Sequence, residues 1–302
     1  MVSRESMTDI SGVNPDQTPT AEQPRNTETS RETEPKIVLH FFRHSEKEKA
    51  LGRPDERVPI TPCGRHLAKD KAEATNFSQA VAFASPRDRA KHTALLRMIG
   101  GHDEITGEEE LEELLKKTEL PVGSKIAVDK SLDFNYDSRL GVIIEEAYER
   151  GEHLKFLIEQ SDTLAANFKD ETTSTYQRNA AKIAKKILRY AKILPRWKQI
   201  LEDDSTKKYS DTLERFFGSH QGVTESFLAK VIEMTEGADR RDEFVAALGN
   251  QGFDYVEGFN VEINQNEPII HLSYSRPQPG GDSFVFNQAL TRSQLESIAS
   301  LK

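Results

Sequence analysis

Residues 36–46 read KIVLHFFRHSE, an apolar run that stops abruptly at an Arg-His pair. Lys36 to Phe42 has the length, the β-branched Ile37 and Val38 and the Pro35 boundary of a strand buried on both faces. In an open α/β sheet the carboxyl ends of parallel strands border the ligand crevice, so such a strand would hold Arg43 and His44 on a rigid edge where ligands bind. The pair suits phosphate chemistry. A guanidinium offers a planar fork of donors to phosphoryl oxygens, and an imidazole can act as nucleophile or as acid-base group. Taken alone, the dipeptide fits a charged turn better.

Two further segments repeat the pattern of an apolar run ending in polar, chemically useful residues. After a polar loop over Ser45–Pro59, broken by Gly52, Pro54 and Pro59, Thr61 and Pro62 form the N-cap and first position of a helix running to Phe77. Arg53 and Arg57 in that loop are candidate contacts to an anionic substrate, although solvated loop charge accounts for them equally simply. Gln79–Ala84 then reads as a short strand that ends in Ser85-Pro86-Arg87-Asp88-Arg89-Ala90. Arg89 falls in the first turn of the following helix, where the macrodipole disfavours a cation, so a bound anion or a nearby carboxylate is expected beside it. Far downstream, Arg215–Gly222 (RFFGSHQG) supplies another apolar strand, ending at His220.

These pieces together resemble the ordered signature of the histidine phosphatase superfamily, the phosphoglycerate-mutase-like proteins. The stretches that carry the resemblance are Phe42-Arg43-His44-Ser45-Glu46, Ile60-Thr61-Pro62-Cys63-Gly64, Ser85 through Ala94 and Ser219-His220-Gln221-Gly222. It covers Lys36 to about Glu233, strongly at its ends and weakly between. It implies an α/β fold, a three-layer αβα sandwich with a mostly parallel central sheet and a helical insertion between the catalytic motifs. It also implies a metal-independent phosphatase without cofactor, in which His44 forms a phosphohistidine while Arg43, Arg89 and protonated His220 bind the phosphoryl group. Donors around that group matter because the transition state spreads charge over its three equatorial oxygens. The family's proton donor varies in position among its branches. Asp133 is favoured here, with Glu112 and Glu225 as further candidates; the residue after the downstream histidine, an acid in another branch, is Gln221. Ser45 stands where the family often has Gly, which changes the pocket wall and leaves the nucleophile intact.

The rest of the chain supports one domain over residues 35–302, behind a disordered tail over 1–34. That tail is rich in Thr, Glu, Ser and Pro and lacks apolar periodicity, so it cannot offset its ordering entropy. A net charge of −9 and the lack of a dense basic block argue against a nucleic-acid partner. No apolar run is long enough to span a bilayer, and no apolar leader opens the chain, so a cytoplasmic protein without a membrane partner is expected. The single Cys63 fits a reducing compartment. Helices are expected over Glu108–Lys117, Arg139–Gln160, Thr173–Leu201, Val223–Met234, Arg240–Leu248 and Leu290–Leu301. Strands are expected over Lys125–Leu132, Phe253–Val256, Asn260–Asn264 and Pro268–Ser275, with a turn over Asn264–Glu267. The basic run between Lys182 and Lys198 reads as the solvated face of a packed helix. The reading is a phosphomonoester hydrolase acting on a small-molecule or protein substrate. A phosphomutase, or a phosphate-binding regulatory module with the same fold and no turnover, are the alternatives.

Overall fold

Strand β1, Lys36–Arg43, lies at the centre of the sheet because both of its faces are apolar. Ile37, Leu39 and Phe41 enter one core cluster, whereas Phe42 enters a second on the opposite face. His40 also lies on that second face, stacked on Phe216 at 4.5 Å and hydrogen bonded to Asn260 at 3.0 Å. The computed structural model describes residues 34–72, 79–99, 126–204, 208–264 and 270–302. The expected tail over 1–34, apart from Glu34, lies outside these residues, as do the expected helix over Glu108–Lys117 with its Glu112 and the turn after Asn264.

Among the described residues the sheet has seven strands in the order β3-β2-β4-β1-β5-β6-β7. The strands are β2 (Val81–Ala84), β3 (Ile126–Val128), β4 (Thr212–Ser219), β5 (Gly258–Ile263), β6 (Ile270–Pro277) and β7 (Ser283–Leu290). β3, β2, β4 and β1 are mutually parallel, and β5, β6 and β7 continue the sheet by antiparallel pairing. Five of the seven strands therefore point the same way. Helices α1 (Pro62–Asp70) and α2 (Asp88–Ile99) cover one face, packing Ala68, Ala90, Ala94 and Leu95 on Phe42, Ala82 and Phe216. A long helix over Tyr176–Asp203 and another over Thr224–Glu236 cover the other face, so the molecule has the three layers expected of it.

Local chemistry explains where these elements begin. Thr61 caps α1 by accepting from the Gly64 amide at 2.9 Å, and Pro62 opens the helix where its missing N–H costs nothing. The C-terminal helix, Arg292–Ala299, starts with a capping box between Thr291 and Gln294. Three expectations need correction. The single helix expected over Arg139–Gln160 is two: it stops at Glu149 and turns at Gly151, whose φ of 81° favours glycine. The chain then resumes over His153–Phe168 through one turn of π-helix at Leu157–Ser161. Leu140, Ile144, Phe156 and Leu157 give this inserted hairpin a small core of its own. Phe253–Val256 is a loop and not a strand, since Val256 takes a φ of 63° and Phe253 buries itself without sheet pairing. Strand β7 was not expected: Ser283–Leu290 begins in a polar Gly-rich stretch and pairs along β6, which supplies the order that its own sequence lacks.

Candidate active site

The site forms where three neighbouring parallel strands end together. In the order β2, β4, β1 their last residues lead directly into Ser85, His220 and His44, and the backbone locks the ends in register. The His44 amide donates to the Ser219 carbonyl at 2.9 Å, and the Ser85 amide donates to the Gly218 carbonyl at 3.1 Å. A fourth end joins through β3, where the Asp129 amide donates to the Ala84 carbonyl at 2.7 Å and a 3-10 turn over Lys130–Leu132 delivers Asp133. Parallel pairing thus brings together residues separated by up to 176 positions in the chain, His44 and His220.

His44 is buried, and its ring is oriented by Nδ1–H donating to the carbonyl of Ser45 at 2.6 Å. That bond fixes the tautomer and leaves the lone pair on Nε2, toward which Arg89 Nε–H points at 3.3 Å. Burial lowers the His44 pKa well below its ordinary value, and the charges of Arg89 and Arg43 lower it further, so the imidazole is neutral. The His220 ring lies 5.1 Å from that of His44, edge to face. Its Nε2 is 2.6 Å from Ser85 Oγ and 3.3 Å from an Asp133 carboxylate oxygen. Burial, then the neighbouring His44, Arg89, Arg87 and Arg43, hold His220 neutral as well.

Arg43 donates to the Phe253 carbonyl, and its guanidinium lies 4.6 Å from the centre of the Tyr255 ring. Arg89 is almost fully buried and donates to the Asp55 carbonyl oxygen at 2.7 Å and to its carboxylate at 2.9 Å. The carboxylate expected beside Arg89 is therefore Asp55, from the 45–59 loop. Arg53 and Arg57 are not brought to His44. Arg53 reaches Glu48 at 3.3 Å, and the exposed Arg57 lies 3.8 Å from Asp88. Glu225 is fully buried and its carboxyl is pushed up by burial, but it faces the loop behind Arg43, accepting from the Phe253 amide at 2.8 Å and Thr224 Oγ1 at 3.0 Å.

Asp133 is the one acid among the expected candidates that touches a site histidine among the described residues. It also accepts from Arg87 Nε at 2.8 Å and from the Phe134 amide at 3.0 Å, while the Arg87 guanidinium lies 4.2 Å from the centre of the Phe134 ring. Lys182 donates to the Asp133 carbonyl oxygen at 3.3 Å, and Lys186 pairs with Asp129, so two lysines expected to be solvated instead prop the turn that carries Asp133. Sequence reasoning singled out neither Ser85 nor Arg87 as a site residue, and it did not reach Asp55. For the first two a signal existed, since both lie in the polar cluster that ends β2; for Asp55 a single acid in a charged loop gave none. Two glycines make the close packing possible. A side chain at Gly222 would strike the His153 ring, and one at Gly64 would strike the Glu46 carbonyl beside the bond from Ser45 Oγ to the Gly64 carbonyl, 2.8 Å long.

No protein-family model matches the chain, and no curated protein matches it in sequence. Among solved structures it is similar to a mycobacterial glucosyl-3-phosphoglycerate phosphatase at 11% identity and a TM-score of 0.39, over 76% of this chain and 91% of that one. It is also similar to a protein described as mycobacterial hydrolase 2, at 14% identity and a TM-score of 0.41, over 88% and 97% of the two chains. A phosphoserine phosphatase mutant from Entamoeba histolytica, in complex with phosphoserine, aligns at 14% identity and a TM-score of 0.32, over 86% and 98%. At these identities and TM-scores the likeness carries no chemistry of its own, and what the site can do follows from His44, His220, Asp133 and the arginines around them.

Proposed function

We propose that the protein is a phosphomonoester hydrolase that works through a phosphohistidine on His44. The observation that carries this reading is the state of His44: a buried neutral imidazole, its Nδ1–H held by the Ser45 carbonyl and its Nε2 lone pair turned toward Arg89, whose Nε–H it accepts until a phosphoryl group takes that donor. Nε2 attacks phosphorus in line, the P–O bond to the leaving group breaks, and Asp133 delivers the proton that the departing alkoxide needs. Water then attacks the phosphohistidine, Asp133 takes its proton, and release of inorganic phosphate restores His44. Arg43 and Arg89 offset the charge on the equatorial oxygens throughout, and the cluster of guanidiniums supplies that charge without a metal in any step. His220 joins them on binding. A phosphoryl dianion favours the protonated imidazole, which then donates to a phosphoryl oxygen and reverses the balance that keeps His220 neutral beside the arginines. Arg53 and Arg57, on the exposed loop, would meet only the far end of a large substrate.

The test is turnover of an aryl phosphate followed by acid and base quenching with a labelled phosphoryl group. A label on His44 that is lost in acid and kept in base is the expected outcome. Turnover without any trapped phosphoenzyme would overturn the nucleophile, and transfer of the label to a second hydroxyl in preference to water would make the protein a mutase.

A further inference from the structure

Arg89 touches His44 and Arg87 touches Asp133, and the anion between the two guanidiniums belongs to the protein itself. One carboxylate oxygen of Asp55 accepts from Arg87 Nη1 and from Arg89 Nη2, the latter at 2.9 Å, and the second oxygen pairs with Lys47 at 3.1 Å. Arg89 meanwhile keeps its Nε–H on His44 Nε2. A carboxylate and a phosphoryl group present the same pattern of acceptor oxygens to guanidinium forks, and both cannot occupy one fork.

The loop that carries Asp55 is held unevenly along its length. Its neck is anchored: Lys47 bridges to Ile60, the Glu48 amide donates to the Pro59 carbonyl at 2.9 Å, and Val58 and Ile60 are fully buried. Its tip is the exposed part. Leu51 is 87% exposed with a φ of 46°, Gly52 follows at 84°, and the Asp55 side chain is about two-fifths exposed. Inward contacts of the tip run through Asp55 and the Asp55 carbonyl to Arg87 and Arg89, with Arg57 3.8 Å from Asp88 beside them.

We propose that Asp55 is an internal carboxylate stand-in for a phosphoryl group, which the phosphate of a substrate or product displaces from the Arg87–Arg89 fork on binding. Arg87 thereby becomes a phosphate-binding residue beside Arg89, and Asp55 sets how strongly an anion must bind to open the site. The proposal rests on the phosphoryl-transfer reading for the identity of the anion, but its test needs no turnover.

Titration of the full chain with inorganic phosphate by calorimetry, wild type against Asp55→Asn, is the experiment. The isosteric variant keeps the shape of a half-exposed side chain and removes the competing charge, so phosphate should bind about tenfold more tightly or better. Arg87→Met should bind phosphate more weakly than wild type, and Asp55→Asn introduced into Arg87→Met should recover less than it gains alone. A circular-dichroism melt checks that each variant folds. Weaker or unchanged phosphate affinity in Asp55→Asn would overturn the proposal, since Asp55 would then only be holding the arginines in place, and so would lack of binding to either protein at millimolar phosphate. Tighter phosphate binding without turnover of any aryl phosphate would leave this inference standing and remove the hydrolase reading. Turnover with an unchanged affinity would do the reverse.

Discussion

The two halves of the sheet solve different problems with the same backbone. β1 and β4, in the parallel half, have no exposed residue on either face, whereas β6 and β7 largely alternate buried and exposed residues. A strand sealed on both faces has only its ends free, and parallel neighbours put all their carboxyl ends on one edge. Antiparallel neighbours put a beginning beside every end. Titratable groups can therefore accumulate at one edge of the parallel half, which is where His44, Ser85, Asp133 and His220 meet, while the antiparallel half contributes Tyr274, Phe286 and Leu272 to the core.

If that division of labour is real, substitutions in the two halves should fail differently. Exchange of His44 for Ala should lower kcat on any phosphomonoester by about 10³-fold or more while the melting temperature stays close to that of the wild type. Retention of more than a few per cent of activity would break the comparison. Asp133→Asn should slow an alkyl phosphate by roughly 10² to 10⁴-fold yet largely spare an aryl phosphate, whose leaving group departs without a proton. Glu225→Gln should not reproduce that divergence; equal losses on both substrates in Asp133→Asn would reduce Asp133 to a support for Arg87. In the other half, Leu272→Ala should cost about 2–5 kcal/mol of stability, read by denaturant unfolding, with kcat and KM of the folded protein unchanged. A fall in kcat there would mean that the antiparallel half also shapes the site.

The smallest effect sharpens the electrostatics. Burial, then Arg89 and Arg43, lower the His44 pKa, so in the proposed mechanism the acid limb of kcat/KM that reports His44 should lie below pH 6.5. Arg43→Gln should move that acid limb upward, toward 6.5. The same sign governs stability. The unfolded chain binds protons at His44 and His220 that the folded chain refuses, so acidification below the ordinary histidine pKa should destabilise the fold progressively. A limb that moved downward in Arg43→Gln would show that the guanidinium does not act on the nucleophile.

Local sequence carried the parallel half well, because an apolar run ending in a polar cluster is a signal within one window. KIVLHFFRH, QAVAFASPR and RFFGSHQG each declare a strand and the residues delivered by its end, and Thr61-Pro62 declares a helix start. The resemblance ordered those windows and thus paired His44 with His220. The antiparallel half was less legible. Ser283–Leu290 has strand order only against β6, and Phe253–Val256 has strand-like residues in a loop that Glu225 and Arg43 hold from outside. Among the described residues, Asp133 was separated from Glu225 by contacts that no window contains: one carboxylate meets His220 and Arg87, the other turns to the Phe253 amide.

The sequence by itself determined the strands that deliver His44 and His220 and the helix start that carries Arg89, since each depends on periodicity and caps within a few residues, while the roles given to those residues come from the resemblance. Only the tertiary structure decided what surrounds them. Asp55 between Arg87 and Arg89, Ser85 on His220 and Lys182 beneath Asp133 are each a meeting of segments far apart in the chain, settled by how parallel strands align their ends and how a loop folds back over them. Charge pairing across that distance depends on geometry that no single stretch encodes, whereas the hydrophobic pattern of a buried strand is written in the strand itself.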